Sequence, residues 1–125
     1  MKLDPDCIRD VLMVVEDNAT VDTWVDTKAF TELAKKYGGP AVSYHVRQAD
    51  WAGLFSKMEK FIGGGFIIQA LSPQGHEFLA NIRQDTNWNK TKQIASKVGS
   101  TSLSTLTTVA SSVISDLIQK NLHLG

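Results

Sequence analysis

The side chains best placed to make directional polar contacts lie in one stretch, PAVSYHVRQADWAGL, from Pro40 to Leu54. Arg47 has the donor fork to address guanine O6 and N7, Gln48 the amide to address adenine N6 and N7, and Ser43 and Tyr44 the hydroxyls to bond phosphate. Wound as a helix, the stretch places Val42, Val46 and Ala49 on one face with His45 at that face's edge, while Tyr44, Arg47 and Trp51 project the other way. One side is built to pack and the other to recognise. Arg47 stands there with an anion, Asp50, and DNA-reading helices usually carry more positive charge. Tyr44 and Trp51 are residue types enriched in protein-binding hot spots, so a protein is the alternative partner for this face.

Other chemistries find less support. Ser43 and His45 are two residues apart and diverge around a helix, Cys7 has no neighbouring base, and no pair of carboxylates sits in a catalytic context, so no enzyme is expected. Three histidines and one cysteine, without C-x-x-C or H-x-x-x-H spacing, predict no metal site, and no cofactor is implied. The run Gly63-Gly64-Gly65 lacks the Gly-Lys-Ser/Thr and the following helix of a phosphate loop, and reads as a hairpin tip.

The segments on either side of Pro40–Leu54 read as its supports. Asp4, Pro5 and Asp6 supply a helix cap, a first-turn proline and a first-turn acid, and Ile8, Val11, Leu12 and Val15 form a buried stripe ending near Asp17-Asn18. Residues 19 to 26 predict a short strand or an extended link. A second helix follows, capped by Asp26 or Thr27, with Phe30, Leu33, Ala34 and Tyr37 as its apolar face, and Gly38-Gly39-Pro40 is both its stop and a turn. Two helices joined in this way match the helix-turn-helix pattern. Two β-prone runs around the glycines then predict a hairpin in the place of a wing, whose Lys57 and Lys60 would touch a nucleic-acid backbone. Ser72-Pro73 opens a further helix with Phe78, Leu79 and Ile82 inward, expected to run on through ANIRQDTNW. Beyond it, Arg83, Lys90 and Lys92 form a weakly basic stretch that could add phosphate contacts.

The last segment is rich in Ser and Thr, yet Leu103, Leu106, Ala110, Val113 and Leu117 recur at heptad-like spacing. Such a stripe must be covered, either by the chain's own domain or by a second copy in a homodimer. The expected architecture is mainly α with a small β-hairpin (α+β). It divides into a winged helix-turn-helix domain over 1–86 and a C-terminal helical extension over 87–125, a candidate oligomerisation segment.

Charge bounds the partners. Thirteen basic and thirteen acidic residues cancel. Residues 1–60 carry eight Lys and Arg against ten Asp and Glu, which argues against a strong polyanion grip by the front half. One cysteine suits a reducing compartment, and with no apolar run of membrane-spanning length and no leader pattern at MKLDPDCIRD the expected location is the cytoplasm, with no membrane partner.

Two resemblances follow from these residues. MKLDPDCIRDVL and LSPQGHEFLANIRQDTNWNKTK, with PDCIRD and LSPQGHEFL at their centres, resemble the signature blocks of a family of small bacterial and phage proteins known as a domain of unknown function. That likeness runs the length of the chain, implies a phage or prophage setting, and brings no catalytic residues. VSYHVRQADWAGLF resembles the recognition helix and first wing strand of winged-helix proteins, including the arsenic-repressor-like transcription factors. This second likeness implies a winged fold with double-stranded DNA as customary ligand, hence a transcriptional regulator. The alternative is a winged-helix module that binds protein through Tyr44, Arg47 and Trp51.

Overall fold

The computed structural model describes residues 1–124, as six helices and a three-stranded antiparallel sheet. It divides into two compact units, Met1–His76 and Glu77–Gly125, with the division falling inside a helix.

The first unit begins with α1 (Pro5–Asn18). The Asp4 carboxylate accepts from the amides of Asp6 at 3.0 Å and Cys7 at 3.4 Å, so the cap legible in the sequence is the one that forms. Cys7, Ile8, Val11, Leu12 and Val15 are completely buried. β1 is only Val25–Asp26, after which Asp26 caps a 3-10 turn, Thr27–Phe30, leading into α2 (Thr31–Tyr37). The chain turns at Gly38, whose φ of +91° suits glycine, and enters α3 (Gly39–Trp51) with Pro40 in its first turn. β2 (Met58–Lys60) and β3 (Phe66–Ile68) form the expected hairpin, and β1 adds to the far edge of β3 to give the order β1-β3-β2. Register pairs Val25 with Ile68, Met58 with Ile68 and Lys60 with Phe66. Phe30 and Phe66 meet edge to face at 5.4 Å between ring centres, in a core completed by Val42, Val46, Ala49 and Ile68.

α4 (Pro73–Ile82) starts where Ser72-Pro73 places it, the Ser72 hydroxyl accepting from the Gly75 amide at 3.0 Å. Gly75 is required there, since a Cβ would run into the Leu54 carbonyl oxygen. The expectation that this helix runs on through ANIRQDTNW is corrected. Gln84 is extended (φ −77°, ψ 134°), so α4 stops at Ile82, and Asp85–Val98 forms a separate α5 with Asp85 in its first turn. Trp88, Thr91 and Ala95, at i, i+3 and i+7, give α5 a buried face that its polar composition had masked. Gly99 ends it in the left-handed conformation.

α6 (Leu103–Leu124) packs along α5 within the second unit. Leu103, Leu106, Ala110 and Val113, expected as candidates for a seam with a second copy, are already buried within the chain. Leu117 is half-buried, and Ile118 and Leu122 beyond it are exposed. Fourteen residues of α5 cannot cover twenty-two of α6, so the apolar stripe outruns its cover. No described helix is long and apolar enough to cross a membrane.

Candidate functional site

The outer side of α3 and the hairpin flank one groove of about 540 Å³ in the first unit. α3 contributes Pro40, Ser43, Tyr44, Val46 and Arg47, and the hairpin contributes Met58, Lys60 and Phe61 with Gly64, Gly65 and Phe66. The position of α3 is fixed from its packed side. His45 is buried, with Nε2 accepting from the Asp4 amide at 2.8 Å and Nδ1 2.7 Å from the Ala41 carbonyl oxygen. Because the Asp4 N–H can only donate, the proton sits on Nδ1 and is given to Ala41. His45 is therefore a tie between α3 and the start of α1, more deeply enclosed than the edge position read from the helical wheel.

The hairpin is held from its other side by Thr27, whose hydroxyl accepts from the Phe66 amide at 2.9 Å. At the tip, Phe61 N–H donates to Gly65 O at 3.1 Å and Gly64 N–H to Phe61 O at 3.2 Å, with Gly63, Gly64 and Gly65 all at positive φ. This compact turn leaves Phe61 half in solvent and Ile62 fully exposed.

The expected site residues separate into two groups. Ser43, Tyr44, Arg47 and Lys60 come together around the groove. Gln48 is half-buried on α3 outside the groove lining, and Lys57 lies elsewhere. Its ammonium is 3.5 Å from Glu59 and 5.8 Å from the centre of the Trp24 ring. Strand alternation explains the separation: Met58 and Lys60 share one face of the hairpin, while Lys57 and Glu59 share the other. An odd spacing of three between the two lysines already contained that information. Trp51 is 68% exposed and lies under Arg47, whose guanidinium carbon is 5.0 Å from the ring centre. Arg83, Lys90 and Lys92 belong to the second unit, with the Lys92 ammonium 5.4 Å from the Trp88 ring centre. Met58, Phe61 and Phe66 were absent from the sequence-derived site, because apolar residues of a hairpin read as core until the groove that they line is seen.

Electrostatically, Arg47 and Lys60 are the side-chain charges that line the groove, and both are positive. Away from it, burial pushes the Cys7 thiol up to about 12, helped by the charges of Asp4 and Asp10. Tyr37 is likewise raised by burial and by donating to Asp10 at 2.7 Å. Both groups serve packing. Among the described residues no three His, Cys, Asp or Glu side chains gather as a metal site.

A family model described as "Hypothetical protein (DUF2513)" matches residues 2–102. The chain is also similar to an uncharacterized protein of Haemophilus influenzae, 32% identical over 121 residues that cover 94% of this chain and 99% of the relative. No solved structure matches. Neither description names an activity, so function rests on the geometry of the groove and the helix beside it.

Proposed function

Taking as premise that the chain belongs to the DUF2513 family, we propose that it is a non-catalytic, cytoplasmic winged-helix protein that binds double-stranded DNA, a transcriptional regulator of phage or prophage origin. The observation that carries this is the pairing of α3 with the hairpin. A helix following a tight helical turn presents Ser43, Tyr44 and Arg47 outward, and the hairpin brings Lys60 to the same groove. The order helix, strand, helix, helix, hairpin, with the first strand on the far edge of the hairpin, supports a winged helix. In this arrangement Arg47 reads a base edge and Lys60 neutralises a phosphate, with Ser43 and Tyr44 fixing the register. A homodimer spanning two half-sites would use the last turns of α6, where Leu117, Ile118 and Leu122 remain available.

An anisotropy titration of mixed-sequence duplex DNA at two salt concentrations tests the proposal. Binding should weaken steeply with salt, and the double variant Arg47→Ala, Lys60→Ala should lower the log–log slope by roughly one, for the phosphate contact of Lys60, while the loss of Arg47 lowers affinity and relaxes base preference. No binding at low salt, or a slope unmoved by the double substitution, overturns it.

A second reading is favoured by one observation. Unit Met1–His76 holds eight Lys and Arg against ten Asp and Glu, while Trp51, Phe61 and Ile62 stand exposed around α3 and the hairpin tip. A protein partner docking on these residues would bind with little salt dependence and would lose affinity on Trp51→Ala.

A further inference from the structure

We propose that the groove between α3 and the hairpin is a binding site for a small amphipathic anion, a molecule with an apolar body and a single anionic head, and that its occupancy excludes DNA from the same face. The exclusion rests on the DNA-binding proposal, whereas the site itself does not.

Three properties of the groove lead to this ligand class. Its volume of about 540 Å³ falls within the range of small-molecule sites, which is on the order of 300–1,000 Å³. Its lining is dominated by Tyr44, Val46, Met58, Phe61 and Phe66, and these side chains offer dispersion contacts along a chain or ring. The charged side chains of the lining are Arg47 and Lys60 alone, so an anion is attracted, a cation is repelled, and a neutral apolar molecule gains only the burial. Glu59 is kept off this face by strand alternation, and pairs instead with Lys57 on the other side of the hairpin. Gly64 and Gly65 line the groove without side chains, which leaves room beside Phe61.

Competition with DNA follows from the identity of the lining. Ser43, Tyr44, Arg47 and Lys60 are the residues assigned to phosphate and base contacts, and a ligand seated among them covers all four. Such a ligand turns the recognition face into a regulated one without any change in the fold.

Calorimetric titration of the full chain with decanoate and with decyltrimethylammonium provides the test. Decanoate should bind with a stoichiometry near unity and about tenfold more tightly than the cationic chain. The double variant Arg47→Met, Lys60→Met should bring the two affinities to within about twofold, because both side chains are exposed and their removal leaves the core intact. Phe61→Ser should weaken both ligands by about fivefold, because it removes apolar surface from the lining. Equal binding of the two chains to the native protein, or anion selectivity that survives the double variant, overturns the site. So does failure of decanoate where an acidic amphipathic peptide binds, which would make the groove a polypeptide site. In a parallel arm, decanoate should displace mixed duplex DNA. Selective decanoate binding by a chain that binds no duplex supports the site and removes the DNA-binding proposal alone, while duplex retained under saturating decanoate overturns the exclusion.

Discussion

Replacing His45 tests how α3 is held in place. The ring is 2% exposed, its Nε2 accepts from the Asp4 amide at 2.8 Å, and its Nδ1 donates to Ala41 O at 2.7 Å. His45→Phe keeps the ring volume and removes both hydrogen bonds. The Ala41 carbonyl also serves the helix, so the larger loss is at Asp4, whose amide is left without its acceptor at a cost of about 1–3 kcal/mol. His45→Ala adds a cavity between α3 and the start of α1, and about 3–4 kcal/mol in total is expected. Urea denaturation followed by tryptophan fluorescence reads this directly, since Trp24 and Trp51 lie in the same unit. With a slope of about 1.5 kcal/mol per molar urea, the alanine variant should shift the midpoint down by about 2 M, and the phenylalanine variant by about 1 M. Shifts below about 0.3 M for both would refute the assignment of His45 as the tie between α1 and α3.

Other expectations follow from single features of the fold. Gly75→Ala places a Cβ against the Leu54 carbonyl oxygen, backbone that cannot swing aside, and should cost about 3 kcal/mol or more by the same denaturation assay. Trp88→Ala empties the largest fully buried side chain of the structure and should cost about 4 kcal/mol, read as early loss of helical circular dichroism on heating. Cys7 is completely buried with its thiol raised from 9.0 to about 12, so a thiol reagent at pH 8 should modify it only after denaturant is added. The same shift sets a sign with pH. The folded state holds the Cys7 proton while the unfolded chain releases it from about pH 9 upward, so stability is full below pH 9 and falls as pH rises toward 12; a Cys7→Ala variant should show a shallower alkaline decline.

Local rules carried the first unit far. The Asp4-Pro5 and Ser72-Pro73 starts, the Gly38 turn and the glycine tip are each decided by one or two residues with strong backbone preferences, and each stands where those preferences place it. α5 escaped because its signal is diffuse. Asn, Lys, Thr and Gln dominate it, and three residues, Trp88, Thr91 and Ala95, supply a face that only the neighbouring α6 makes necessary. The stripe on α6 was visible as a period, yet a period does not name its partner, and α5 had to be recognised before Leu103 to Val113 could be assigned to the chain's own core. At the site, Arg47 and Lys60 were legible by type. Their apolar surroundings required the groove itself, because Val46 and Phe66 serve the core and the lining at once.

Met1 is 74% exposed and stands among the residues that line the groove. Residues added ahead of it therefore emerge at the groove's mouth, beside Arg47 and Lys60. An amino-terminal purification tag, above all an acidic one, would act as a tethered competitor at high local concentration and mask whatever the groove takes. Protein for binding measurements should carry its tag at the other end.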